Sequence, residues 1–258
     1  MVVADLHVHT TRSDGALAPE GVALAARRAG LGAVAITDHD RLPPVDSPVS
    51  ERREITVIGG IELRVTTGER RLDLLGYGVD PTSALRREID RLQRNRIERA
   101  RAIVDCVESH TGVELDVSFG PGVGRPHVAR AIAESDAPYG YDGAFEQLVG
   151  DDGPCYVARE ITPYERGLEL LSEATELVSL AHPLRYDDPD AALSLASDLD
   201  AVELAYPYDG VVDLAPVETA IGEHNLLATG GSDAHGKQVG VAGLDGPVYE
   251  RVRARLPD

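Results

Sequence analysis

Only two cysteines, Cys106 and Cys155, occur among the 258 residues, and they form no Cys-x-x-Cys pair. A disulfide framework is therefore not expected, and a reducing cytosol fits the chain. No apolar run approaches the roughly 18 residues of a membrane span. The N-terminus, MVVADLHVHT, lacks the basic start and apolar stretch of a signal peptide and reads as a first strand. A cytoplasmic location is the resulting expectation. Lysine is almost missing, with Lys237 the sole example, and 25 Lys and Arg face 44 Asp and Glu for a formal net charge of -19. A broad nucleic-acid-binding surface would be basic, so it is excluded. Dense carboxylates without lysine suit a halophilic protein in concentrated salt, where screening removes self-repulsion. A GC-rich coding bias with ordinary solubilising acidity is the other reading.

What the chain does have is a steady alternation of short apolar strands with helices, which predicts α/β with a largely parallel sheet. The strands fall at Val2–His7, Ala33–Thr37, Thr56–Ile61, Leu72–Tyr77, Leu177–Ala181, Ala201–Leu204 and Leu226–Gly230. Helices fall at Pro19–Ala29, Asp190–Ser197 and Val212–His224. Thr162, Pro163 and Glu165 read as N-cap, first turn and capping box of a further helix. Seven strands with interposed helices predict an irregular, distorted (β/α)7 barrel. Residues 83–155 break the rhythm with a long helix, Ala84–Glu108, and a Gly/Pro-rich passage near Phe119–Pro126. They read as a mainly helical insertion on the rim of a barrel formed by 1–82 and 156–258. Along the long helix Arg86, Arg87, Arg91, Arg94, Arg96, Arg99 and Arg101 crowd together. They suit either a solvated face paired with Glu88, Asp90 and Glu98 or a basic patch for the phosphates of a short substrate.

The chemistry is concentrated where strands end. Asp5-Leu6-His7-Val8-His9 puts two histidines on one strand face, because alternate residues of a strand point the same way. Ser13-Asp14-Gly15 follows. Thr37-Asp38-His39-Asp40, Gly60-Ile61-Glu62, Ala181-His182-Pro183 and Ser232-Asp233-Ala234-His235 close later strands, and Arg125-Pro126-His127 opens a helix of the insertion. Any one of these histidines reads more simply as a hydrogen-bonded core residue. Six of the eight, each beside a carboxylate or a Pro/Gly turn, point instead to one metal-binding rim; His110 and His224 stand apart. Asp5 is either an orienting partner for an imidazole or a carboxylate capping strand-end amides. Asp38 and Asp40 carry the same ambiguity.

Taken together, DLHVHTTRSDG, ITDHD, GIE, RPHVA, AHP and SDAH resemble the polymerase-and-histidinol-phosphatase (PHP) family of metal-dependent phosphoesterases. The resemblance implies a distorted seven-stranded barrel holding two to three divalent ions, Mn, Zn or Fe. By position it implies His7, His9, Glu62 and Asp233 at a first ion and Asp14, His39 and His235 at a second. A third would lie among His127, His182 and bridging Glu62. Mixed nitrogen and oxygen ligands accept any of these metals. Such ions hold a bridging hydroxide as nucleophile and stabilise charge on the phosphoryl group, which puts Asp14, His39, His235 and Glu62 at the catalytic core. Ser13, Arg125, Arg12, Arg159 and Arg185 lie near these motifs and are candidates to grip substrate phosphate. Lys237 suits either substrate contact or loop solubility.

Asp14 and the inserted segment resemble the branch that cleaves nucleoside 3′,5′-bisphosphates and trims RNA from its 5′ end. The expected partner is accordingly a small phosphorylated substrate, a nucleotide or short RNA. Histidinol-phosphate phosphatase is the alternative activity. A non-catalytic, metal-stabilised scaffold module is the alternative of another class.

Overall fold

The computed structural model describes residues 1–44 and 47–258. They divide into two compact units, Met1–Arg87 with Thr162–Asp258, and Glu88–Ile161.

The first unit is one curled sheet dressed with helices. Its elements up to the division are β1 (Ala4–Val8), α1 (Pro19–Arg28), β2 (Ala33–Ile36), β3 (Val49–Arg52), β4 (Ile55–Thr66), β5 (Arg71–Tyr77) and the start of α2 (Ser83–Thr111). Next come α3 (Arg125–Glu134) and α4 (Tyr141–Ala144) of the second unit. The first unit resumes with β6 (Thr162–Pro163), α5 (Tyr164–Ser172), β7 (Leu177–Leu180), α6 (Pro189–Leu193), β8 (Ala201–Ala205), α7 (Ala215–His224), β9 (Leu227–Gly230) and α8 (Gly246–Arg253). The main path runs β1-β2-β4-β5-β7-β8-β9, with β3 and β6 pairing onto β4. These are the seven predicted strands, and the distorted (β/α)7 architecture holds. β1 and β2 are buried along their full length, as strands covered on both faces must be. That is why they read as apolar runs.

Three sequence expectations need correction. The sheet is mixed: β5 runs antiparallel to both β4 and β7, because only residues 67–70 separate it from β4, and so short a link forces a hairpin. β4 does not stop near Glu62. It is twelve residues long, pairs with β2 through Gly59, and then with β5 from Gly60 onward. Thr162 is not an N-cap. It pairs with Val65 of β4, and α5 starts only at Tyr164, with Pro163 at the cap position and no side-chain cap.

Alternate residues of the sheet fill two apolar clusters. One gathers Leu6, Ala35, Ile58, Leu75, Tyr77 and Leu177 with Val252 of α8. The other packs Val22, Ala23 and Ala26 of α1 against Val34, Ile36 and Val57. Burying each large aliphatic side chain contributes about 1.5–3 kcal/mol, so a polar residue inside these strands has to be held there for some other reason.

The second unit has its own core. Ile103, Val104 and Val107 of α2 pack on Val128, Ala129 and Ile132 of α3 and on Leu148, Val149 and Cys155. Contrary to the sequence expectation, Cys106 and Cys155 form a disulfide, with Cα atoms 5.5 Å apart and 49 residues of separation. Both residues belong to the same packed cluster, a nearness that sequence spacing does not reveal. The disulfide removes the free-thiol argument for a reducing compartment. Among the described residues no helix is long and apolar enough to cross a membrane.

Candidate metal centre

The two ends of the sheet path, β1 and β9, meet through the segment that follows β9. His9 N donates to Ala234 O at 3.1 Å and Ala234 N to His7 O at 3.3 Å. Gly231 makes this approach possible: a β-carbon there would stand 2.3 Å from the backbone nitrogen of His7. Asp5 ties the same seam, accepting from Ser232 N at 2.9 Å, Ser232 Oγ at 2.5 Å and Gly240 N at 2.7 Å. Asp5 thus caps backbone amides and touches no imidazole ring. Asp38 does similar work for the loop after β1, accepting from Thr10 N, Thr10 Oγ1 and Ser13 Oγ, each at 2.7 Å. The hydroxyl proton of Ser13, a phosphate candidate, is therefore committed to Asp38. Asp40 accepts from Arg64 N at 3.2 Å.

This framework brings eight of the nine motif side chains into one cluster. His9 Nε2 lies 3.1 Å from Asp233 Oδ1 and 3.3 Å from Glu62 Oε2, while His7 Nε2 lies 3.5 Å from both Asp233 Oδ1 and Glu62 Oε1. His39 Nδ1 is 2.6 Å from Glu62 Oε2, and His235 Nε2 is 3.3 Å from Asp14 Oδ1. His182 Nε2 reaches Glu62 Oε1 at 3.2 Å. Three donor groups emerge, each with its ligand atoms within 4.8 Å of one another: His9, Asp14, His39 and His235; His7, His9 and Asp233; and His7, Glu62 and His182. His182 and Asp233 hold φ of +29° and +48°, a backbone region that costs a non-glycine residue of the order of 1–3 kcal/mol and is typical of functional sites.

The ninth residue, His127, belongs to the second unit, where its Nδ1 accepts from Gly124 N at 3.2 Å at the start of α3. Arg125, beside it, donates to Val149 O and Asp151 and stacks over Tyr156. Arg159 lies in the same unit, and its charge acts on Arg99. Of the other phosphate candidates, Arg12 donates to Leu42 O at 3.4 Å. Arg185 touches the cluster itself: its Nη1 donates to Asp233 Oδ2 at 3.2 Å and to Tyr206 Oη at 2.9 Å.

The donor atoms fit a cation better than they fit each other. His7 Nε2, both ring nitrogens of His9, His182 Nδ1, Asp14 Oδ1 and Glu62 Oε2 are buried, yet none makes a properly directed hydrogen bond. His9 Nε2, Glu62 Oε2 and Asp14 Oδ1 each sit within 3.3 Å of another candidate donor atom, facing it across a shared gap. Leaving so many desolvated polar atoms unsatisfied is costly, and divalent ions on mixed imidazole and carboxylate ligands would satisfy them.

Electrostatics without metal reflect the same crowding. Burial pushes Glu62 up, but the charges of His39 and His7 outweigh it and hold the carboxyl well below its usual range. Asp14 is likewise held down by His235 and His39 against its burial, as is Asp233 by His9 and His7. Burial alone would lower His7, yet Glu203 and Glu62 raise it well above an ordinary histidine. His9, buried beside His39, is lowered.

Glu203 is the residue sequence reasoning missed. It is fully buried in β8, its Oε1 lies 3.1 Å from His7 Nδ1, and its Oε2 accepts from His182 N at 2.7 Å. One glutamate within Ala-Val-Glu-Leu-Ala, an otherwise apolar strand, was the signal. Tyr206, which donates to Asp233 Oδ2 at 2.9 Å, left no such mark.

Comparison with known proteins agrees with this centre. A curated relative from Chromobacterium violaceum, a 3′,5′-nucleoside bisphosphate phosphatase, is 27% identical over 99% of this chain and 98% of its own. The 5′-3′ exoribonuclease Rnm of Escherichia coli is 27% identical over 91% of this chain and 85% of its own. Among solved structures, one from Bifidobacterium adolescentis described as a candidate metal-dependent phosphoesterase superposes with a TM-score of 0.82 at 23% identity. It covers 100% of this chain and 97% of its own. A C. violaceum amidohydrolase, solved with bound sulfate and no metal, gives 0.77 at 26% identity over 98% and 96%. Fold and centre together define a metal-dependent phosphoric ester hydrolase. Residues 5–142 match the PHP domain model, more than half the chain, and the protein belongs to that family.

Proposed function

We propose that the centre hydrolyses a phosphate ester of a small nucleotide, a nucleoside 3′,5′-bisphosphate, or trims short RNA from its 5′ end. The observation that carries this reading is the convergence of His7, His9, Asp14, His39, Glu62, His182, Asp233 and His235 beside a cation, Arg185, that is itself half exposed. The relatives named for nucleotide and RNA phosphate esters over nearly the whole chain support the substrate class. Two to three divalent ions, Mn, Zn or Fe, would be held by these residues, with His127 the further candidate ligand. When bound, such ions supply Lewis-acid charge and lower the pKa of water into the neutral range.

The protein side of the chemistry follows from the residues. Glu62 stays ionised and anchors four histidines at once. Asp233 is steered by Tyr206 and Arg185, and the remaining guanidinium N–H groups of Arg185 can take a phosphoryl oxygen. His39, Asp14 and His235 form the open side of the cluster, with side chains 20%, 23% and 41% exposed, so substrate reaches it there.

The test is a panel assayed with purified protein and Mn: adenosine 3′,5′-bisphosphate, a 5′-phosphorylated oligoribonucleotide, phosphoribosyl 1,2-cyclic phosphate and histidinol phosphate. Release of phosphate or mononucleotide from the first two is expected. Turnover of histidinol phosphate alone overturns the substrate class. No turnover of any ester leaves the scaffold alternative standing.

A further inference from the structure

The first unit carries a groove of about 750 Å3 between α1 and the segment that follows His235. Leu17, Leu24, Ala25 and Val239 give it an apolar lining, and Arg28 and Lys237 add two exposed cations. No acidic residue lines it, although the chain has 44. Among the described residues neither Arg28 nor Lys237 makes an ion pair or a side-chain hydrogen bond, whereas neighbouring Arg27 pairs with Glu54. The concavity is fixed from both sides. Thr11 N donates to Leu17 O at 2.9 Å, Ala16 N to His235 O at 2.8 Å and Gly240 N to Asp5 Oδ2 at 2.7 Å. Leu17 and Ala25 pack onto the same apolar cluster that holds Val239. Gly21 of α1 leaves the wall open, since a β-carbon there would meet no atom within 4 Å.

An apolar hollow with unpaired cations beside it is complementary to a molecule that has an apolar body and one anionic end. Taking the body out of water supplies affinity, and the cations set its orientation. The volume falls within the roughly 300–1,000 Å3 of small-molecule sites. A second copy of this chain would bring a net charge of -19 against the same value, which disfavours it as the occupant. A small anion meets the two cations at a range where salt screens little. We propose that this groove binds a small amphipathic monoanion, an aliphatic or aromatic carboxylate, with its apolar body along Leu17, Leu24 and Val239 and its carboxylate toward Arg28 and Lys237. The site goes beyond the ester-hydrolysis reading and does not depend on it.

The experiment is calorimetric titration of octanoate and of 2-naphthoate into the Mn-loaded full chain, with acetate and 1-octanol as further arms. Wild type is expected to bind at least one of the two acids, and to bind acetate and 1-octanol at least tenfold more weakly. Gly21→Leu fills the groove and places a better helix former in α1; it raises Kd for the acid at least tenfold. Arg28→Gln combined with Lys237→Gln raises that Kd about tenfold, as two exposed charge pairs allow, and leaves 1-octanol unchanged. Melting without ligand reports whether each variant folds; if Gly21→Leu does not, the double variant decides. Tighter binding of octanoate assigns the site to aliphatic acids, and tighter binding of 2-naphthoate to aromatic ones. Binding of neither acid by wild type overturns the proposal, as does 1-octanol bound as tightly as octanoate. Acid binding that persists unchanged in the folded variants belongs to the metal centre and also overturns it. A ligand-free wild type that sediments as a dimer, with Gly21→Leu a monomer, gives the groove to a second copy and overturns it too. Failure of the substrate panel leaves this result untouched, because binding here is read without turnover.

Discussion

Replacing Glu203 by glutamine probes the centre through a residue expected to touch no metal and no substrate. The carboxylate lies 3.1 and 3.3 Å from His7 Nδ1 and takes the His182 backbone N–H at 2.7 Å. Its charge holds the His7 proton on Nδ1 and leaves Nε2, the atom facing Glu62 and Asp233, as the lone-pair donor. Glutamine keeps the shape. Its carbonyl can accept from His182 N, but its NH2 then faces Nδ1 and drives the His7 proton to Nε2, where it blocks ligation. Losing such an orienting partner typically costs 10–100-fold in metal affinity, about 1.4–2.7 kcal/mol. Metal-free Tm should fall less than for a truncation, since both hydrogen bonds can be remade although the charge that favours the His7 imidazolium is lost. Glu203→Ala, by contrast, strands two buried groups at roughly 1–3 kcal/mol each, enough to lower Tm by on the order of 10 °C in a chain of this size. Calorimetric Mn titration and metal content after dialysis read the first effect, and melting of chelator-treated protein reads the second. A folded Glu203→Gln variant that takes up Mn with wild-type affinity would refute the reasoning.

Three further predictions concern other parts of the molecule. The Cys106–Cys155 disulfide closes 49 residues, worth about 4 kcal/mol on a chain-entropy basis; reductant should lower Tm, and two free thiols in the unreduced, denatured protein would contradict the pairing. Without metal, His235 is raised to about 9 by Asp14 and Asp233 against its burial. Its stabilisation is therefore full below pH ~6.5 and lost as pH climbs through 9, whereas that of depressed Asp14 is present above pH ~4 and lost below it. Metal-free Tm should thus fall from pH 6.5 to 9 while metal affinity rises as ligand protons are released; a metal-free Tm that climbs across this range refutes the assignment. At a net charge of -19, molar salt should raise Tm well above its low-salt value, and equal melts in both would remove the halophile reading.

Much of the architecture was legible because buried strands have to be apolar along their length. β1, which carries His7, and β2 and β7, which His39 and His182 follow, announced themselves in that way, with polar residues at or just past the end of each strand. The antiparallel β5 was less visible, since apolar runs carry no direction; the clue was the short link at Thr67-Gly68. Candidate ligands stood out by recurrence, but their grouping did not. That His9 sits near both Asp14 and Asp233 depends on how the segment after β9 is stitched to β1 through Gly231. The pairing of Cys106 with Cys155 depends likewise on helix packing, and spacing along the chain is silent about it.

Because His7 and His9 each belong to two of the three donor groups, the seats they form have no independent existence. A neutral imidazole offers one lone pair, and His7 Nδ1 already faces Glu203, so a shared ring can serve one ion at a time. Filling one seat therefore takes a ligand from its neighbour, and a foreign ion lodged in one seat alters the others.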